Sequence, residues 1–345
     1  MITAGRRVFW VFGRREMKLI SKDTGYANTL GRYSAVGRSV AFQSVMETVR
    51  IVAPRNCCVI IHGPTGTGKE MTARQIHLHS RRANNVFVPV DCTALSGSIF
   101  ESQLFGHVKG AFTGAVSDTL GFFRAADRGT LFLDEISELE PDLQAKLLRV
   151  LQESRVTPVG STQSYPVDVR IICATNRDLK EMVRQGTFRV DLYFRLNVFK
   201  IELSPLCQRK EDIPLLANHF LQKQAELYDE PVKRLSEQAL KILMDYHWPG
   251  NIRELANAIE YAHIASRGPV IEPEYLPIDI LTGDFLTADS QDPEFTAFDQ
   301  IRKRMVIKAL QKAGGRKMAA ARLLKIDHRK LSRLVKEFGL EPTWK

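Results

Sequence analysis

The sequence predicts an α/β protein: a parallel β-sheet with covering helices and a helical subdomain, followed by an all-α helix-turn-helix domain. Three observations predict it. Five apolar runs of strand length alternate with stretches of helical spacing. The first run opens into a glycine-rich loop and then a helix, which places a ligand site at the carboxyl ends of the strands. The tail from Asp299 to Lys345 carries 14 Lys and Arg against 4 Asp and Glu, so it alone matches the formal net charge of +10.

Length and composition bound the rest. A chain of 345 residues, 44% hydrophobic and 26% charged, suits two or three domains with at least one large core. No apolar run approaches the roughly 18 residues of a membrane span, which excludes a helical membrane protein and points to the cytoplasm. The five cysteines Cys57, Cys58, Cys92, Cys173 and Cys207 lie in or beside apolar segments without CxxC spacing, so reduced, mostly buried thiols are expected rather than disulfides or zinc. The opening "MITAGRRVFWVFGRREMK" has too short an apolar stretch for a secretory signal, and a non-native or misassigned start upstream of Met17 is expected.

Charge divides the chain. Residues 1–34 are a short basic leader with 7 basic and 2 acidic residues, and no regulatory domain is expected there. Residues 35–298 hold 28 basic and 33 acidic residues. Residues 271–298 contain seven acidic residues, three prolines and no Lys or Arg, which reads as an acidic linker with at most short helical pieces. A basic tail after an acidic linker favours a polyanion partner.

In chain order, the first strand is "CCVIIH", Cys57 to His62, and the glycine loop after it is "GPTGTGKE". Strand, loop and helix together make a P-loop of Gly63, Pro64, Thr65, Gly66, Thr67 and Gly68: its backbone N–H groups, which all but Pro64 carry, cradle phosphates and Lys69 reaches the outer ones. Glu70 stands where a Ser or Thr would ligate Mg²⁺, so the metal must lean on other groups. They follow in "GTLFLDEI": Asp134, at a strand end, suits Mg²⁺, and Glu135 suits orienting or deprotonating the attacking water of ATP hydrolysis. A further strand, "VRIICATN", ends in Thr175 and Asn176, both expected to face the phosphates. The runs "VFVPVDC" and "VFKIEL" complete the five strands.

Between these motifs lies "GHVKGAFTGA", where Gly110, Ala111, Gly114 and Ala115 surround Phe112 and Thr113. A loop of such small residues moves at low cost and can expose Phe112 as an apolar anchor, although a tight turn with Phe112 tucked inward also fits the composition. In the tail, "MVIKALQKAGGRKMAAARLLKIDHRKLSRLVKEFGL" reads as three helices broken at "AGG" and "KID". The last two have helix-turn-helix spacing, with Ala319, Ala320 and Leu323 suited to close packing.

With these residues on the page, the chain from about Val36 to Arg267 resembles the AAA+ domain of bacterial enhancer-binding proteins, the activators of sigma-54 RNA polymerase. The tail is similar to their Fis-type DNA-binding domain, and "GAFTGA" is the most specific mark. The resemblance implies an AAA+ α/β ATPase subdomain at 35–206, a helical lid at 207–270 and a helix-turn-helix domain at 299–345. It implies ATP and Mg²⁺ as ligands, a homo-oligomer from dimer to hexamer ring, and contact of Gly110 to Ala115 with the sigma-54 holoenzyme. Arg189 and Arg195 in "GTFRVDLYFRL" match fingers that reach a neighbouring subunit's nucleotide, with ordinary surface salt bridges as the alternative. Asn176 matches the first sensor. In "YHWPGNIREL", Asn251 can cap a helix and Arg253 would sense the nucleotide unless it pairs with an acidic neighbour. Arg316, Lys317, His328, Arg329, Lys330, Arg333 and Lys336 would meet double-stranded DNA at an upstream activating sequence.

The sequence departs from the family at two residues. Asp91 stands where many members have an Asn that holds the catalytic glutamate back, and an ionised Asp91 cannot donate to Glu135. Lys325 replaces a frequent turn glycine. Control is expected from a separate regulatory protein, from expression level or from the ring. Two rival readings remain: an AAA+ remodelling factor with another target, and a DNA-binding repressor that keeps the ATPase as a scaffold.

Overall fold

A computed structural model describes residues 9–13, 16–20, 35–93 and 97–282, and within the tail residues 306, 307, 309, 310, 313, 316–323, 331, 332, 334 and 335. The chain divides into two compact units, the second beginning at Leu286. In the leader, Phe9–Gly13 and Glu16–Ile20 pair as an antiparallel hairpin.

The centre of the first unit is a five-stranded sheet. Its strands are β1 (Val59–His62), β2 (Phe87–Asp91), β3 (Thr130–Asp134), β4 (Arg170–Thr175) and β5 (Phe199–Glu202), in the spatial order β5-β1-β4-β3-β2. Every neighbouring pair is parallel. Each run is near-continuously apolar because both faces are covered. One face sends Ile60, Leu131, Leu133, Ile171 and Cys173 against α3 (Gly97–Phe105), α4 (Pro141–Glu153) and α5 (Val190–Leu196), through Phe100, Leu104, Leu147, Leu192 and Leu196. The other sends Val59, Ile61, Phe132, Ile172 and Ala174 against Val49 and Val52 of α1 (Val40–Val52) and Ala73 and Ile76 of α2 (Lys69–Leu78). Alternation along each strand thus feeds two cores, each fully buried side chain contributing about 1.5–3 kcal/mol.

The sequence ranges for all five strands hold, trimmed by one or two residues at their ends. Four cysteines are as expected, Cys92 and Cys173 buried and Cys57 and Cys58 packed against the two cores, and all five are free thiols.

The helical subdomain consists of α6 (Ile213–Tyr228), α7 (Glu237–Asp245) and α8 (Asn251–Ala265), packed around Trp248, which is buried and donates its indole N–H to the Leu243 carbonyl at 2.7 Å. The stretch expected to be linker from 271 is, at its start, part of this core. Ile271, Leu276 and Ile280 are buried in it, and Val270–Ile271 pairs with Arg234–Leu235. Glu272, Glu274 and Asp279 face outward, so the acidic composition describes only the solvent side. The three apolar residues follow neither a helical nor a strand period because a 3₁₀ turn at Pro273–Tyr275 separates them. The remainder of that stretch, from 283 to 298, lies outside the described residues.

In the second unit, Val306, Ala309, Leu310, Ala313, Ala320, Ala321, Leu331, Leu334 and Val335 form a separate small core, with α9 (Lys317–Leu323) contributing the two middle alanines. Ala320 is buried and Ala319 packs beside it, as their spacing predicts. The turn at Lys325 lies outside the described residues.

A buried histidine ties α2 to β3. His77 is 5% exposed and its Nδ1 lies 2.9 Å from Thr130 Oγ1. Burial pushes its pKa down to about 4 from 6.5, against a hydrogen bond with the Asn85 backbone. The unfolded chain therefore takes up a proton that the folded one excludes. Stability is complete above about pH 6.5 and falls as the pH drops toward 4, by about 1.4 kcal/mol for each pH unit at most. Urea unfolding between pH 7 and pH 4.5 should show this slope, and His77→Asn should flatten it.

Candidate functional site

The phosphate edge is assembled from the carboxyl ends of β1, β3 and β4. The P-loop turns with Gly66 at φ +79° and Gly68 at φ +101°, and Thr67 Oγ1 donates to the Pro64 carbonyl at 2.7 Å. Lys69, buried at the start of α2, donates from Nζ to the Gly63 carbonyl at 3.1 Å and to Glu135 Oε1 at 2.9 Å. Glu135 Oε2 accepts from the Asn176 backbone at 3.1 Å, and Asn176 Nδ2 donates to Thr65 Oγ1 at 3.3 Å. Glu135 has φ +51°, a strained conformation for a non-glycine, held by these two partners. Thus Lys69, Glu135, Asn176 and Thr65 meet, as their positions after the strands predict.

Asp134 lies beside them at the end of β3. Burial raises its pKa, as do the carboxylates of Glu135 and Asp91, while Lys69 opposes the rise. A carboxylate so placed gains from a cation.

Several residues fall elsewhere than expected. Glu70 turns outward and pairs with Arg74 Nη2 at 2.7 Å, so it brings only its backbone to the loop. Thr175 does not face the phosphates. It is buried, donating to Ser137 Oγ at 3.1 Å and accepting from the Arg177 backbone at 3.0 Å, because the last residue of β4 points into the sheet packing. Asp91 Oδ1 accepts from Thr93 N at 2.9 Å and Thr93 Oγ1 at 2.7 Å. Its side chain is thereby engaged by its own turn, and Glu135 is held by Lys69 and Asn176 instead.

Asn251 is the first residue of α8 rather than its cap. At φ +52°, its side chain crosses to the P-loop: Nδ2 donates to the Thr65 carbonyl at 3.0 Å and Oδ1 accepts from Leu206 N at 2.8 Å. Ile252 N also donates to the Gly66 carbonyl at 2.9 Å. Gly66 is required here, since a Cβ would collide with the Gly250 carbonyl. Arg253 is exposed with its Cβ beside Gly66, and it has no ion pair among the described residues. The lid root is therefore bonded to the phosphate loop it would sense.

Sequence reasoning missed the other lid attachment. Asp212 is fully buried and accepts from Arg38 N at 2.6 Å, Ser39 N at 2.7 Å and Ser39 Oγ at 2.7 Å. An acidic residue just before α6 reads as that helix's own N-cap, yet it caps the start of α1 instead. Arg209 Nη2 donates to the Thr67 carbonyl at 2.8 Å. A cavity of about 150 Å³ between P-loop and lid is lined by Val36, Phe42, Met71, Leu216, Phe220 and Ile252, with Arg209 at its wall. A wider groove of about 680 Å³ on the lid, between Tyr228 and Pro269, contains no phosphate-edge residue.

Arg189 precedes α5 and Arg195 lies in its last turn. Arg189 pairs with Asp191 at 2.8 Å, the expected alternative, and is exposed. Arg195 Nη2 donates to the Leu151 carbonyl at 2.8 Å and has no ion pair among the described residues. Burial pushes the Cys58 thiol up, and the positive charge of Arg195 opposes the rise. Val190 and Phe194 beside the arginines are 54% and 71% exposed.

The glycine-alanine loop rises between Gly106–His107 and Thr119–Leu120, which pair antiparallel. A second loop braces it: Val108 N donates to the Val159 carbonyl at 3.1 Å, and Gly160 lies against Ala111. The tip is a compact turn, with Gly110 N donating to the Ala115 carbonyl at 2.9 Å and Gly110 and Gly114 at φ +80° and +102°. Phe112 is 42% exposed rather than tucked inward, and Thr113 is exposed with it. Of the DNA-facing candidates, Arg316 is exposed and Lys317 starts α9. His328, Arg329, Lys330, Arg333 and Lys336 lie outside the described residues.

Comparison with known proteins gives the family. Residues 35–202 match the sigma-54 interaction domain and 207–292 the AAA+ ATPase lid domain. The chain is 48% identical over 305 residues to the transcriptional regulatory protein ZraR of Escherichia coli K12, covering 88% of this chain and 69% of that protein. It is 44% identical over 310 residues to the regulatory protein AtoC of the same organism, covering 88% and 67%. The solved structure of NtrX from Brucella abortus in complex with ATP superposes with a TM-score of 0.69 at 32% identity, covering 91% of this chain and 71% of that one. These matches favour a transcription activator over the remodelling-factor and repressor readings. A P-loop edge with Lys69 and Glu135 in contact, a lid bonded to it and an exposed GAFTGA tip are what such an ATPase needs, and the chain belongs to the sigma-54-dependent transcription activators built on an AAA+ ATPase domain.

Proposed function

We propose that this ATPase hydrolyses ATP at the boundaries of a ring of identical subunits, up to a hexamer, and uses each turnover to raise Phe112 and Thr113 against the sigma-54 holoenzyme, driving the closed promoter complex open. The observation that carries the reading is the division of the site. Lys69, Glu135 and Asn176 meet at the carboxyl edge of the sheet, whereas Arg195 is exposed and its guanidinium donates to the Leu151 carbonyl near the end of α4. Exposed and without an ion pair among the described residues, that guanidinium can serve a neighbour's phosphates.

Within the site, Lys69 exchanges Glu135 for the outer phosphates when ATP enters. Glu135 is then free to take a proton from the attacking water, while Asn176 and Arg253 read the γ-phosphate from two sides. Asp134 would hold Mg²⁺, which neutralises phosphate charge when bound. Its raised pKa fits that role. The base would occupy the cavity between Val36 and Ile252.

The tail would bind double-stranded DNA at an upstream site as a dimer, with Arg316 and Lys317 beside its middle helix and an affinity that falls steeply with salt. Among the described residues no helix is long and apolar enough to cross a membrane, in keeping with action in the cytoplasm. Control by a separate regulatory protein fits the same scheme.

Mixing subunits tests the ring. Lys69→Ala and Arg195→Ala proteins should each lose ATP hydrolysis, by about 10³-fold or more for the arginine. An equal mixture should recover about a quarter of the native rate, because one boundary in four pairs an intact P-loop with an intact finger. A mixture as inactive as its components would mean that Arg195 acts within its own subunit.

A further inference from the structure

We infer that His107 is the seat on which the Phe112 ring rests while the loop is lowered, and so is a positioning residue for the sigma-54 contact. The inference rests on the loop-lifting reading. His107 belongs to the antiparallel pair at the base of the loop, opposite Thr119, and is fixed at both ring nitrogens. Ser102 Oγ, buried on α3, lies 2.6 Å from Nδ1, and Thr119 Oγ1 on the returning strand lies 3.3 Å from Nε2. Either hydroxyl can donate or accept, so a neutral ring satisfies both at once and its plane is set by two separate elements.

The ring so held meets Phe112 edge-on, with centroids 5.0 Å apart and planes at 62°. That arrangement is attractive between aromatic rings. It leaves Phe112 42% exposed: half of the tip faces solvent and half is seated. The other hydrogen bonds of the turn, such as Gly110 to Ala115 and Ala115 to Phe112, join loop residues to one another and travel with them. Raising the tip therefore breaks the His107 contact while leaving the turn intact. An aromatic edge contact of this kind shifts the lowered-to-raised ratio by about threefold to tenfold.

Hydrogen exchange of segment 108–118 in the full chain reads this ratio. Without nucleotide, His107→Ala should exchange there threefold to tenfold faster than the native protein, while its ATPase rate stays close to native and so reports an intact fold. His107→Phe keeps an aromatic seat without the hydroxyl bonds and should restore slow exchange. His107→Ala should also capture sigma-54 without nucleotide, whereas the native protein should do so only with a transition-state analogue such as an ADP–aluminium fluoride complex. Native exchange in His107→Ala, or a His107→Phe protein that exchanges as fast as His107→Ala, would overturn the seat. Failure of the native protein to capture sigma-54 in any nucleotide state would instead overturn the loop reading, and the exchange data would still decide the seat.

Discussion

Glu135→Gln should bind ATP yet hydrolyse it about 10²- to 10⁴-fold more slowly than the native protein, the range that a positioned general base contributes. Three features of the site set this expectation. Glu135 is the carboxylate that Lys69 and the Asn176 backbone hold at the phosphate edge, at 2.9 and 3.1 Å. Glutamine matches its shape and keeps the acceptor for Asn176, but it cannot take a proton. Asp134, adjacent in sequence, has a raised pKa and in the proposed mechanism holds the metal, so it is not expected to substitute. Single-turnover hydrolysis alongside equilibrium ATP binding separates the two effects. Loss of binding with a normal chemical step would show that Glu135 serves Lys69 and not the water. The same geometry bears on Asp91: its carboxylate is occupied by Thr93, so Asp91→Ala should alter hydrolysis far less than Glu135→Gln.

The second large effect falls on transcription and spares the ATPase. Phe112→Ala and Thr113→Ala should each hydrolyse ATP at close to the native rate while losing open-complex formation at a sigma-54 promoter. The loss should be about 30-fold or more for Phe112, the scale of an apolar anchor at an interface hot spot. The split is expected because the tip shares no hydrogen bond with the phosphate edge. Its attachments run to Val159 and Asp118, and Phe112 is already partly exposed, so truncation removes little core. Open-complex formation at the native rate by Thr113→Ala would remove that hydroxyl from the mechanism.

The parts of this architecture that repeat locally were legible in the sequence. The five strands announce themselves because burial on both faces demands uninterrupted apolar runs, and the P-loop because its glycines and Lys69 sit between strand and helix. The residues that were misread take their roles from distant partners. Asn251 looks like a cap because it opens a helix, but its amide reaches Thr65 and Leu206 across the site. Asp212, which the sequence reading passed over, precedes α6 yet accepts from Arg38 and Ser39 at the start of α1. Thr175 and Asn176 are adjacent in sequence, yet strand alternation sends one inward to Ser137 and the other to Thr65. The acidic stretch after 271 hid three buried residues because its charges report only the solvent face. His107 offered no metal-ligand spacing, and only the fold brings Ser102, Thr119 and Phe112 around it.

The central claim is that hydrolysis moves the loop tip, and a photo-cross-linking residue at Val116, exposed next to that tip, measures the movement most directly. Cross-links to sigma-54 should form with the ADP–aluminium fluoride complex and be absent without nucleotide, and Glu135→Gln should make them only where ATP binding alone suffices to raise the loop. Cross-linking that is equal in every nucleotide state, or open complexes that form with no cross-link to this position at all, would contradict the account.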